Sequence, residues 1–232
     1  VPGQTAHEPG MPDCGAIIED PAAAAQRAAA VDDELARLHP DAGCTLDHDT
    51  PFQLLVATVL SAQTTDARVN TITPGLFARY PDAAALAAAE RADLEERLRP
   101  LGMQRTRAAR LIALGSDLVA EHGGAVPARR DALVALPGVG RKTANVVLGN
   151  AFGVPAITVD THVGRLSRRL GWTTAQDPVA VERDLSCLWE PMRWTDGCHR
   201  LIMHGRRVCR ARVPRCEACA LNAAGLCPRV GV

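Results

Sequence analysis

Of the 26 lysines and arginines in this 232-residue chain, only Lys142 is a lysine. Arginine stays protonated at ordinary pH, so it supplies charge but no nucleophilic amine. A chain that uses arginine wherever a cation suffices marks its one lysine as a candidate for amine chemistry. Lys142 lies in residues 136–147, LPGVGRKTANVV, just after a Pro-Gly-Val-Gly turn. Gly138 and Gly140 permit backbone angles closed to other residues and let an anion approach the amides. The next helix then presents its N-terminal N–H groups to that anion, with Arg141 and Thr143 beside Lys142 in the first turn. Such a helix-hairpin-helix grips a DNA backbone without reading its sequence. A plain turn between two helices is the alternative.

Two further groups could do chemistry. In residues 155–165, PAITVDTHVGR, Asp160 immediately precedes a new helix. Asp is a favoured N-cap, and capping alone accounts for it there. The roles are compatible, because a cap is rigid and points at the helix mouth. Cys209, Cys216, Cys219 and Cys227 then crowd the C-terminus, while Cys14, Cys44, Cys187 and Cys198 are scattered. With no basic stretch and apolar core visible in the first twenty residues, the crowded four read as metal ligands rather than disulfides. Four thiolates without a clustered His hold either tetrahedral zinc or an iron–sulfur cluster, and spacing alone does not choose.

The elements that must position these groups are helices. Hydrophobic residues make up 47% of the chain but aromatics only 3%, so the core is built from Ala, Leu and Val, an alphabet that favours helices. Apolar residues recur at helical spacing over residues 22–38, 51–60, 67–80, 83–98, 105–122 and 129–136. Pro and Gly punctuate the pattern at Pro40, Pro74-Gly75, Pro81, Pro100, Gly123-Gly124 and Pro137-Gly138. Residues 51–60 are apolar on nearly every side, as a buried central helix requires. No stretch alternates with period two, and no apolar run approaches the roughly 18–20 residues that span a bilayer.

Formal net charge is zero, which by itself argues mildly against a nucleic-acid protein. Distribution matters more. Acids gather early, as in Asp32-Asp33-Glu34 and residues 93–96, and arginines gather late, at Arg165, Arg168, Arg169, Arg200, Arg206, Arg207, Arg210, Arg212 and Arg215. Solvated helix faces are one reading of the late group. A surface facing a polyanion is the other.

These motifs together resemble the endonuclease III branch of the helix-hairpin-helix DNA glycosylases, from about residue 22 to the end. Residues 136–171 carry the closest likeness; residues 51–66, residues 201–205 (LIMHG) and the cysteine cluster match too. The resemblance implies that Lys142 and Asp160, eighteen residues apart, are catalytic. It implies that Gln63 fills the gap left by an extruded nucleotide and that Met103, after Gly102, is the apolar wedge beside it. Gln104 follows where other members carry an aromatic. Gly138, Gly140, Arg141, Thr143 and His162 are implied DNA contacts. The likeness favours a [4Fe–4S] cluster on the four cysteines, with Arg210 and Arg212 of the intervening loop held toward phosphates. The Cys219–Cys227 gap of seven residues is two longer than the family's; Cys227 still closes the loop if the insertion bulges outward, ahead of Cys198 as a substitute ligand.

The resulting expectation is an all-α protein of two helical lobes with a DNA-binding cleft between them. Residues 1–20 are a loose tail, with Met11 a possible start. Residues 44–154 form a six-helix barrel with the helix-hairpin-helix; residues 21–43 and 155–232 form the iron–sulfur domain. The expected activity is a bifunctional DNA glycosylase/AP lyase that removes oxidised pyrimidines from duplex DNA and nicks through a Lys142 Schiff base. A pyrimidine-dimer enzyme on the same scaffold, or a damage-binding protein without strong activity, is the alternative. Damaged double-stranded DNA is the partner, with no membrane and a monomeric chain. The location is cytoplasmic and nucleoid-associated, in a bacterium.

Overall fold

The computed structural model describes residues 20–232. The expected tail and Met11 lie outside the described residues, apart from Asp20. That residue caps the first helix, α1 (Pro21–Leu38), where its carboxylate accepts the Ala23 N–H at 3.0 Å. Among the described residues the architecture is all α-helix, with short 3₁₀ turns and no strand.

Two compact units divide the chain. One is continuous, Asp41–Thr158, and holds eight α-helices. Its centre is α2 (Pro51–Leu60), started by Thr50, whose hydroxyl accepts the Gln53 N–H, and by Pro51 in the first turn. Every α2 residue from Leu54 to Leu60 is buried, as its unbroken apolarity requires. There follow α3 (Asp66–Asn70), α4 (Thr73–Arg79), α5 (Ala83–Ala87), α6 (Arg91–Leu98), α7 (Gln104–His122), α8 (Arg130–Ala135) and α9 (Arg141–Phe152). Helix α7 packs on α5 and α6, and α2 packs on α9. One apolar core, running from Leu46 to Ala156 in sequence, serves the whole unit.

Two stretches with apolar residues at helical spacing, 67–80 and 83–98, are each divided. The first breaks at Thr71–Ile72, because Pro74 has no N–H to donate and fits the first turn of α4. Pro74 thus opens a helix rather than breaking one. The second breaks before Glu90, whose carboxylate accepts the Ala92 and Asp93 N–H groups and so starts α6.

The other unit comprises the described residues up to Pro40 together with Val159–Val232. Helix α1 packs here on α11 (Pro178–Leu188) and α12 (Trp194–Arg207); α10 (Thr161–Arg169) packs on both, and α13 (Ala220–Ala223) follows. Trp172 and Trp189 meet edge to face in the core, and the Trp189 indole donates to the Ala28 carbonyl of α1. Asp32, one of the early acids, is fully buried. It accepts from Arg193 at 2.9 Å and from Arg200 at 2.8 and 2.9 Å. A buried carboxylate between two guanidiniums binds α1 to the start and body of α12.

Candidate active site and cysteine pocket

Helices α8 and α9 are joined by a turn in which Leu136 and Val139 point inward, each less than a tenth exposed. The Val139 N–H donates to the Leu136 carbonyl at 3.1 Å and closes the turn. Gly138 has φ +80°, a backbone angle that favours glycine, and the Arg110 side chain packs against the space a Cβ would fill. Gly140 is the N-cap of α9 and lends no side chain to its first N–H groups. A helix N-terminus of this kind suits an anion. Lys142 is exposed in that first turn with Arg141, while Thr143 is half-buried. On the inner face of α9, Asn145 is buried and its amide donates to the Ile157 carbonyl at 2.7 Å.

Asp160 is the N-cap of α10. Both of its capping bonds, from the His162 and Val163 N–H groups at 2.8 Å each, go to the same oxygen, Oδ1. Capping therefore leaves Oδ2 for other work. His162 is half-buried, and its Nδ1 lies 3.2 Å from the Arg165 guanidinium. Burial holds its imidazole below the ordinary range, with Asp160 opposing and Arg165 and Arg206 reinforcing. A Cβ on Gly205 of α12 would meet His162 Nδ1 at 2.8 Å, so glycine lets the two helices close around this ring.

Gln63 and Met103 both stand exposed on turns, with φ +65° and +50°. Gln63 follows the C-terminus of α2, and Met103 immediately precedes α7. Both belong to the Asp41–Thr158 unit.

Cys209, Cys216, Cys219 and Cys227 line a single pocket. Leu166, Leu170, Val208 and Leu221 complete much of its wall. Burial pushes the Cys227 thiol up, and the other three cysteines add to the effect. Thiolates in such a place need a cation between them, which is what a metal centre supplies. Among the described residues, no three His, Cys, Asp or Glu side chains gather as a site for a single metal ion. Four soft donors around one pocket suit a thiolate-held metal centre. Cys198 is buried and is not part of the pocket wall.

Two neighbours of these sulfurs escaped the sequence reading. Arg169 donates to Cys209 Sγ at 3.3 Å, and His204 Nε2 lies 3.4 Å from Cys219 Sγ. His204 was visible only as part of the LIMHG match. Burial, aided by His39, lowers its pKa to about 4, so the ring is neutral at physiological pH. Its Nδ1 lies 3.1 Å from His39 Nε2. A neutral ring has one donor nitrogen, and the Nε2–H tautomer would turn that donor to the Cys219 sulfur.

The late arginines do not all face outward, which corrects the reading of them as one polyanion-facing surface. Arg165 donates to the Gly205 and Cys209 carbonyls, Arg168 to that of Ala175, and Arg169 to those of Arg210 and Ala211. Arg200 is committed to Asp32. These side chains satisfy carbonyls and a carboxylate inside their own unit. Arg210 and Arg212 are exposed on the loop between the first two pocket cysteines, and Arg169 ties that loop to α10.

Residues 56–191 match the HhH-GPD superfamily base excision DNA repair protein family. Endonuclease III of Synechocystis sp. (strain ATCC 27184 / PCC 6803 / Kazusa) is 50% identical over 213 residues, 91% of this chain and 96% of that protein. Among solved structures, a non-covalent endonuclease III–DNA complex superposes with a TM-score of 0.81 at 44% identity, covering 88% of this chain and 95% of that one. A trapped endonuclease III–DNA covalent intermediate gives the same TM-score and identity, covering 88% and 96%. With that likeness spread over nearly its whole length, the chain belongs to the endonuclease III branch of the HhH-GPD superfamily of base excision DNA repair proteins.

Proposed function

We propose that this chain removes oxidised pyrimidines from duplex DNA and nicks the strand 3′ to the resulting abasic site, with Lys142 as nucleophile and Asp160 as its electrostatic partner. The observation that carries the proposal is an exposed, solitary lysine in the first turn of the helix after the hairpin, joined in the chain to a capping aspartate with one carboxylate oxygen to spare. The reading requires both side chains to address one deoxyribose.

Cleaving the N-glycosidic bond builds positive charge on that sugar, and a nearby carboxylate stabilises it. The neutral Lys142 amine attacks C1′, the base departs with the bonding electrons and takes up a proton, and ring opening gives an iminium. The iminium acidifies C2′. Loss of a proton there expels the 3′ phosphate, and water then hydrolyses the imine to free the lysine. The nucleotide must leave the stack first. Gln63 and Met103 are the side chains we assign to the space it vacates. Gly138, Gly140, Arg141 and Thr143 of the hairpin, His162, and Arg210 and Arg212 of the loop face the phosphates in this reading.

Cys209, Cys216, Cys219 and Cys227 would hold a [4Fe–4S] cluster. Bound there, it would cross-link the loop that carries Arg210 and Arg212 and supply no group to the reaction at the sugar. Purified protein should be yellow-brown, with broad absorbance at roughly 400 nm. Colourless protein with stoichiometric zinc and no iron would overturn that assignment. The chain would act as a monomer on nucleoid DNA in the cytoplasm.

A panel of duplexes tests the activity. Thymine-glycol duplexes should lose the base and be nicked, and abasic duplexes should be nicked. Cleavage confined to ultraviolet-damaged duplexes would instead assign a pyrimidine-dimer enzyme. Tight binding without strand cleavage on any substrate would leave a damage-binding protein.

A further inference from the structure

Among the described residues only three that are not glycine have positive φ, and Gln63 and Met103 are two of them. L-residues disfavour this left-handed region, so it persists only where the surroundings over-determine it. Neither turn is held by glycine at the residue itself. Something else must hold both.

That element is Arg107, the fourth residue of α7 and only 5% exposed. Its Nε donates to the Gly102 carbonyl at 2.9 Å. One terminal nitrogen donates to the Leu60 carbonyl at 2.5 Å, and the other to the Ala62 carbonyl at 2.7 Å. All three nitrogens of the fork are used, and they reach two separate turns. The Ala62 carbonyl shares its rigid peptide plane with the Gln63 N–H, and the Gly102 carbonyl shares its plane with the Met103 N–H. Gripping those oxygens therefore fixes the plane from which each left-handed residue departs. The third acceptor, Leu60, ends α2, where carbonyls lack helical partners and a cation is favoured.

We infer that Arg107 is a positioning residue whose guanidinium clamps the two turns in register, so that Gln63 and Met103 are presented together to the DNA where a nucleotide leaves the stack. This rests on the reading of Gln63 and Met103 as the gap-filling side chains. Burial lowers the Arg107 pKa, yet a guanidinium keeps its charge throughout the physiological range. The fork, rather than the charge alone, is what spans two loops. A lysine ammonium has three donors but they diverge from a single point, so it lacks the spacing of the fork.

The test is the ratio of nicking rates at an abasic site in duplex and in single-stranded oligonucleotide. Only the duplex presents a stack to open and a gap to fill. Arg107→Met should lower this ratio on the order of 10–100-fold, the scale of a misplacement of about 1 Å at a reacting site. A Gln63→Ala/Met103→Ala protein should show a similar fall, and adding Arg107→Met to it should lower the ratio no further. An unchanged ratio in Gln63→Ala/Met103→Ala overturns the gap-filling reading. A fall there, followed by a further independent fall on adding Arg107→Met, keeps that reading and overturns the clamp. Equal losses on both substrates in Arg107→Met also overturn it, since a general structural defect acts on both. Should Arg107→Met fail to fold, Arg107→Lys decides: its ratio should be intermediate, and a wild-type ratio would show that no fork is needed.

Discussion

Lys142→Arg protein should bind abasic and lesion-containing duplexes yet nick them at a rate lowered on the order of 10³-fold or more, the scale on which nucleophile removal acts. The substitution keeps the positive charge and much of the reach. It removes the amine that can become an imine. The local fold gives little reason for a structural penalty. Lys142 is exposed in the first turn of α9, whereas the inward residues of that helix are Ala144, Asn145, Val147 and Leu148. Loss of activity with an unchanged melting temperature would therefore report chemistry and not folding.

Borohydride supplies the second half of the same result. It reduces an iminium to a stable amine, so wild-type enzyme and abasic DNA should become covalently joined. Trapping of this kind usually leaves open which amine reacted. Here the choice is between Lys142 and the chain's α-amino group, since no other lysine exists. Peptide mapping should place the sugar on residue 142. An adduct at the N-terminus, or an arginine variant that nicks at near-normal rate, would remove Lys142 from the mechanism while leaving the hairpin as a DNA grip.

Much of this site was legible because its determinants are local. Thr50-Pro51, the apolar run behind them, and the Pro-Gly-Val-Gly turn each specify conformation within a few residues. Asp160 was legible as a cap for the same reason. What escaped the sequence depends on long-range partners. Asp32 lies among acids that look solvated, but it meets Arg193 and Arg200 more than 160 residues away. Arg165 and Arg169 look like DNA-facing cations, but the fold turns them onto carbonyls near Cys209. Arg107 sits in a helix rich in arginine, and no feature of residues 104–110 distinguishes it from Arg105 or Arg110. The break between α5 and α6 was hidden for a different reason. Alanine-rich sequence favours a continuous helix, and the interruption is made by a glutamate cap rather than by glycine or proline.

Asp160→Asn separates two roles that one side chain performs together. The cap uses Oδ1 alone, accepting from the His162 and Val163 N–H groups. Asparagine keeps a carbonyl oxygen able to accept both bonds, and Asn ranks with Asp as an N-cap, so stability should change by less than about 1 kcal/mol. Oδ2 becomes an amide nitrogen, and the negative charge is lost. A developing sugar cation would then face a donor in place of a carboxylate. Base removal should fall on the order of 10²–10³-fold, the scale of losing one preorganised electrostatic group, while lesion binding survives. Asp160→Ala supplies the contrast: it should lose the same activity and also about 1 kcal/mol of stability, because it removes cap and charge together. Turnover in Asp160→Asn close to wild type, with Asp160→Ala destabilised, would reduce Asp160 to a capping residue and leave Lys142 to act without a carboxylate partner.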